Sequence, residues 1–378
     1  MRHKLPEDCL KHKEKKFRPD VQLTISDLKP HLKYKHRGEP VVSLILFYTF
    51  KSNERMNNIM DMTLYRDKLT WGCEIELTGK TRLEVARIIA AHYGTSYTHE
   101  GGGYDKYLIP SPVGTWTVAR DSSIIPLKKR GSQIVGADDY YKVEVVTPVL
   151  KGGKAIDGFQ EVIRKLAKSG AFASDTCGCH VHVGIDGMEV QTIINILNQV
   201  HSKQNILFHA LGIKSSDQRY RYCAAIPTSL VETIKKKKPK TLTELADIWY
   251  GILDPYGDRN ARYNGSRYRI VNLSRGLLHN RWYLGTCEFR CFSTPPRLHC
   301  GMLRSYISFC LLLVQYANSI KRSSYKVTAV SAEESEKYKL RCFLLKLGAI
   351  SDEFKTLRLF WLERFNNQSS AWRRGQRM

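Results

Sequence analysis

The chain has 378 residues, 42% hydrophobic and 25% charged, which fits one large or two ordinary domains with a real core and excludes collagenous, disordered and disulfide-scaffold classes. Its 60 basic and 36 acidic side chains leave a formal net charge of +24, so an anionic partner is expected: nucleic acid, acidic lipid, or a phosphorylated or carboxylated substrate. The 10 cysteines form no CxxC pair and no close framework, which points to a reducing compartment, and the protein is read as cytoplasmic.

Residues 1–65 mix charges, show little periodicity and carry Met56, Met60 and Met62 just ahead of the first convincing strand. They are expected to be a poorly ordered or appended segment, and one reading places them ahead of the natural start. The opening run MRHKLPEDCLKHKEKKF lacks the apolar stretch of a signal peptide. Val41–Phe50 is far shorter than the ~18 residues of a membrane span, so no membrane partner is expected.

From Leu69 the pattern sharpens. LTWGCEIELT reads as a strand, and Thr81 as the N-cap of a helix whose Leu83, Ala86, Ile89, Ala90 and Tyr93 share a face until Gly94 stops it. Extended pieces follow at Tyr104–Ile109, Thr115–Ala119 and Lys142–Thr147, with a basic loop at Lys128, Lys129 and Arg130. Then come a helix over Ala155–Ser169, a strand over Cys179–Ile185 and an amphipathic helix over Glu189–Leu211. Lys235–Lys238, before Pro239, reads as a solvated loop, and Thr241–Tyr250 as a short helix. Strands at Arg267–Leu273 and Leu284–Phe292 lead into an apolar helix over His299–Ile320. Two further helices are expected to open at the capping box Ser331-Ala-Glu-Glu334 and at Ser351-Asp-Glu. Strands first and helices later indicate an α+β fold. Residues 66–320 form the expected catalytic domain and 321–378 a helical extension packed on it.

Three of these strands share a feature. Because strand side chains alternate, Glu74 and Glu76 share one face, His180 and His182 another, and Glu288 and Arg290 a third, each opposite an oily face that holds Cys73, Cys179, Cys287 and Cys291. Asp121 and Glu144 add carboxylates in strand-like context. Were these acids to converge, each close like-charge pair would cost about 4 kcal/mol at ~4 Å in a medium of effective dielectric ~20. Hard divalent cations neutralise such a cluster well, and oxygen ligands with an imidazole suit Mg²⁺ or Mn²⁺ bridging nucleotide phosphates. Zinc at Cys177-Gly-Cys-His-Val-His182 is the rival reading; alternation sets Cys179 against His180. Gly79-Lys80-Thr81 looks like the tail of a P-loop, but Glu74 stands where the loop needs glycine. Gly101–Gly103 reads as a turn.

The segments WGCEIELTG, WTVARDSS, KVEVVTPVL, GCHVHVGID, RYRIVNL and GTCEFRCFSTP, in this order, closely resemble the amidoligase family, carboxylate–amine ligases of the glutamine synthetase-like superfamily. The likeness runs from about Leu69 to about Ala317. It implies an open antiparallel sheet, glutamine synthetase-like, that carries the active site between flanking helices. It implies Glu74, Glu76, Glu144, His180 and Glu288 as metal ligands, with His182 behind His180 and Asp121 as a ligand or substrate contact. Glu76, Asp121 and Arg290 would be catalytic, Arg290 facing the transferring phosphoryl group. Arg267 and Arg269 would hold phosphate or a substrate carboxylate, and Asn272 matches a position at the nucleotide. The implied cofactors are ATP and Mg²⁺ or Mn²⁺, and the implied partners are a carboxylate, glutamate-like or on a peptide, and an amine. ATP would convert the carboxylate to an acyl phosphate that the amine then displaces, so positioning and charge neutralisation suffice and no nucleophilic Ser or Cys is required. Two other readings stand beside this one: a basic nucleic-acid-binding protein, supported by charge alone, and a phosphoryl transferase on the same superfamily fold.

Overall fold

A computed structural model of the chain describes residues 62–277, 283–327 and 335–370. The expectations for residues 1–61, for the Ser331–Glu334 box and for the arginines of the last eight residues lie outside these. The described residues fall within one unit, Met60–Met378.

A large, antiparallel sheet organises that unit. Its strands are β1 (Thr70–Leu77), β2 (Thr98–Gly101), β3 (Lys106–Ser111), β4 (Gly114–Ala119), β7 (Val143–Val146), β9 (Gly178–Gly184), β10 (Val271–Asn272) and β11 (Thr286–Ser293), in spatial order β10-β11-β9-β1-β7-β4-β3-β2. A short β8 (Leu150–Lys151) pairs with the start of β1, and β5 (Leu127–Arg130) with β6 (Gln133–Gly136) makes a separate hairpin. The basic loop of the sequence reading is that hairpin.

One face of the sheet is oily. Trp71, Cys73, Ile75 and Leu77 on β1, Cys179, Val181 and Val183 on β9, and Cys287 and Phe289 on β11 are all buried. Helices cover this face. On α1 (Arg82–Tyr93), Tyr93 packs on Trp116 of β4, and on α2 (Ala155–Lys168), Phe159 meets Trp71 edge-on. Thr81 caps α1 in a full capping box with Glu84, and Gly94 ends it in the left-handed conformation that glycine adopts without strain. A β-bulge between Phe289 and Phe292 shifts the β11 register, so that Cys291 and Phe292 are both buried.

The later helices are α3 (Val190–Leu211), α4 (Thr228–Lys237), α5 (Leu242–Leu253), the single turn α6 (Ser274–Leu277), α7 (Cys300–Ser319), α8 (Glu336–Lys346) and α9 (Lys355–Leu362). Helix α7 is long and apolar enough to cross a membrane by composition, yet 72% of its apolar window is buried within the fold. Tyr306 stacks on Phe292, and Phe309 takes Trp361 of α9 at 4.2 Å between ring centroids.

Two sequence expectations are corrected. Lys235–Lys237 form the last turn of α4, where cations complement the helix dipole, and only Lys238 leaves the helix. The Arg267–Leu273 strand shrinks to Val271–Asn272 because Gly265–Arg267 turn as a 3₁₀ helix. Helix α8 begins at the N-cap Ser335, whose hydroxyl accepts from the Tyr338 N–H.

Candidate functional site

The register assembles the polar face opposite the oily one. Glu74 stands across from His180 and Glu76 across from Glu144, while Glu288 lies between His182 on β9 and Asn272 on β10. Ala119 pairs with Glu144, and Asp121 follows two residues on, past the end of β4. Residues far apart in the chain therefore meet because each has the same parity on its strand.

Two groups of donors result. One donor atom each from Glu74, His182 and Glu288 lie within 4.8 Å of one another, and Glu76, Asp121 and Glu144 form a second such group. In the first, His182 Nε2 is 3.3 Å from Glu74 Oε1, and His180 Nδ1 lies 3.2 Å from Glu74 Oε2 and 3.8 Å from Glu288 Oε1. Arg290 pairs with Glu288 Oε1, and Asn272 Nδ2 donates to Glu288 Oε2 at 2.6 Å. Asn272 is fixed in turn by the Ser274 N–H. In the second group, the Gly178 N–H donates to Glu76 Oε2 at 2.6 Å, and Asp121 Oδ1 accepts from the Ser123 N–H and hydroxyl.

Electrostatics separates the groups. Burial pushes the Glu74 carboxyl up, but His182 and His180 outweigh it and hold Glu74 well below the usual range. Glu288 likewise resists burial, because Arg290 and the two histidines bring it down to about 2. His182 is raised, its burial overcome by Glu74 and Glu288. In the second group, burial raises Glu76, reinforced by Asp121 and opposed by His180 and Arg219. Glu144 rises well above its ordinary value through burial and the charges of Glu74, Asp121, Glu76 and Glu288.

The donor set suits hard divalent cations. His182 Nε2 is buried against Glu74 without an aligned hydrogen bond, so this nitrogen could serve a cation in place of its proton. A Cβ at Gly178 would lie 3.2 Å from His180 Nε2 and 3.3 Å from Glu76 Oε1, so the missing side chain keeps a cradle open between them. Carboxylate oxygens with an imidazole match Mg²⁺ or Mn²⁺. The zinc alternative does not assemble: Cys179 Sγ sits 3.5 Å from Cys73 Sγ behind the sheet, and among the described residues no close donor group includes a cysteine.

Other expected residues lie apart from the acids. The Arg267 guanidinium rests over the Tyr263 and Tyr268 rings, 5.0 and 5.7 Å from their centroids. Arg269 Nη1 reaches Ala225 O at 3.4 Å, and burial lowers its pKa. The family likeness leaves open which histidine of the pair is the ligand; a His182 nitrogen lies in the three-donor group, with His180 Nδ1 beside it at 3.2 Å from Glu74 Oε2. Gly178 shares the strand parity of His180 and His182, a signal present in the sequence, whereas Arg219 lies in the 3₁₀ turn Gln218–Tyr222, where no periodicity marks it.

No curated protein matches the chain. Among solved structures, a bifunctional glutathione synthetase from Pasteurella multocida is similar at 11% identity and a TM-score of 0.37, over 83% of this chain and 49% of that one. The chain thus spans about half the length of that protein, and the likeness is too slight to carry an argument. The family model described as "Putative amidoligase enzyme" matches residues 67–314, which takes in both donor groups and every strand of the main sheet. The chain belongs to the amidoligase family.

Proposed function

We propose that this protein is an ATP-dependent carboxylate–amine ligase that forms an amide bond through an acyl phosphate, on a glutamine synthetase-like catalytic sheet within residues 66–320. The observation that carries the reading is the pair of three-donor groups, Glu74–His182–Glu288 and Glu76–Asp121–Glu144, side by side on one polar face. Both groups would hold Mg²⁺ or Mn²⁺, with His180 completing the first. Bound there, the cations would neutralise the nucleotide phosphates and the charge on the transferring phosphoryl group.

The protein's own part is positioning. Asn272 and Arg290 hold the two oxygens of Glu288, and the Gly178 N–H holds Glu76, so the carboxylates keep their orientation before any ligand arrives. Arg290 would also face the phosphoryl group, while Arg267 and Arg269 would receive phosphate or a substrate carboxylate. A carboxylate is a poor acyl donor because oxide must leave; phosphorylation gives it a phosphate to lose when the amine attacks.

The test is to incubate the protein with ATP, Mg²⁺ and pools of carboxylates and amines, measuring ADP and searching for a condensed product by mass spectrometry. ADP release that requires both pools, with a product that has lost one water, is the expected result. ADP release with a phosphorylated carboxylate as the final product would replace the reading with a phosphoryl transferase. Salt-sensitive binding to DNA without nucleotide turnover would replace it with a nucleic-acid-binding protein.

A further inference from the structure

Arg219 belongs to no motif, yet it stands at the edge of the acidic face. It lies in the 3₁₀ turn Gln218–Tyr222, and its Nη1 makes only a long bond, 3.4 Å, to Cys177 O. Its Nε is buried with no hydrogen-bond partner, and it joins no salt bridge among the described residues. Cys177 precedes Gly178, whose N–H holds Glu76, so the guanidinium is anchored one residue from the group that fixes a site carboxylate. The same turn offers Tyr222 O to Arg290 Nε at 3.2 Å.

Arg269 repeats the pattern. The chain at Ala224 pairs with Arg269 through a parallel bridge, and Arg269 reaches Ala225 O with one nitrogen at 3.4 Å while its own Nε is buried without a partner. Arg219 thus rests on Cys177 O and Arg269 on Ala225 O, each through a single long carbonyl contact, and neither joins a salt bridge among the described residues. A guanidinium fork is shaped for two oxygens of one anion, and a planar fork left largely unfilled in a half-buried setting costs stability unless a ligand fills it.

We infer that Arg219 forms an oxyanion subsite beside Glu76 that receives either a nucleotide phosphate or the carboxylate to be activated. The inference deepens the ligase reading and rests on it for the source of the anion. The competing account is that Arg219 only braces the Cys177 carbonyl.

Calorimetry on the full chain separates these accounts, using MnCl₂ alone and then inorganic phosphate and acetate on the Mn²⁺-loaded protein. Arg219→Gln is expected to leave the Mn²⁺ dissociation constant within about twofold and to weaken phosphate or acetate about tenfold or more, as loss of a charge-assisted hydrogen-bond pair should. Arg219→Lys, which keeps the charge and loses the fork, should recover part of the loss. A loss for phosphate alone assigns the nucleotide end, and a loss for acetate alone assigns the acceptor end. Unchanged affinity for both anions overturns the inference, as does the absence of measurable anion binding by the wild type. If Arg219→Gln fails to fold, Arg219→Lys decides: a smaller weakening supports the subsite and wild-type affinity for both anions overturns it. A wild type that takes up no Mn²⁺ would count against the ligase reading instead, and the anion titrations without metal would still decide on Arg219.

Discussion

Around Glu74 and Glu288 the protein supplies its own partners, the Arg290 guanidinium and the imidazoles of His180 and His182, whereas among the described residues Glu76, Asp121 and Glu144 join no salt bridge. The carboxyl pKa values diverge accordingly. Glu74 and Glu288 are held low, and Glu76 and Glu144 are forced up. Two residues apart on β1, Glu74 is favoured as the anion while Glu76 ionises against its surroundings. The difference teaches where an added cation does most: at the second group it removes the repulsion, while at the first it must compete with protons on His182.

The largest expected effect tests the internal compensation. Arg290→Ala leaves the buried Glu288 anion without its partner and should destabilise the fold by about 3–5 kcal/mol, measurable by urea unfolding. A loss below about 1 kcal/mol would mean that the histidines alone suffice and would blur the contrast between the groups.

Next comes the uncompensated group. Glu76→Gln removes one charge from it and should cut ATP-dependent ADP release by about 10²–10³-fold, the usual cost of one preorganised group near a transferring centre. Steady activity would remove Glu76 from the site. Gly178→Ala fills the cradle between His180 and Glu76, and titration should show Mn²⁺ affinity falling about tenfold; unchanged affinity would place the cations elsewhere.

The pH dependence has opposite signs at the two groups. Glu144, with its pKa raised in the folded state, adds stability below its unfolded pKa and loses that contribution as pH rises through the folded value. In chelator, Glu144→Gln should therefore gain on the wild type as pH climbs above the carboxylate range, ending about 2–4 °C higher in melting temperature. Mg²⁺ should close the gap, and a difference that ignores pH would show that Glu144 is not strained. Glu288, held near 2, does the reverse: its contribution is present above the ordinary carboxylate pKa and is lost as pH falls toward 2.

The smallest effect belongs to the oily face. Cys73→Ala should cost on the order of 1 kcal/mol in thermal unfolding and leave Mn²⁺ affinity unchanged, since the Cys73 thiol lies against Cys179 behind the sheet and is not one of the clustered donors. A change in metal affinity would mean that the two faces are coupled.

Much of this site could be read from the chain because strands impose a period of two. Glu74 with Glu76, His180 with His182, and Glu288 with Arg290 declare a shared face in the sequence, and the cysteines between them declare the other. Helix α1 was equally plain, since Thr81, Glu84 and Gly94 mark its ends by local chemistry. The β5–β6 hairpin and the turn bearing Arg219 were not, because short basic segments carry no hydrophobic period to betray them, while helix α4 shows one only over Leu230, Val231 and Ile234, before its lysine run.

Sequence by itself determined which residues face together within each strand, because alternation is a local consequence of backbone geometry. Only the tertiary structure decided which strands are neighbours and in what register, and hence that Glu76 meets Glu144 while Glu288 meets His182 and Asn272. That choice depends on burying one continuous apolar face under α1, α2 and α7, a property of the whole sheet that no single strand contains.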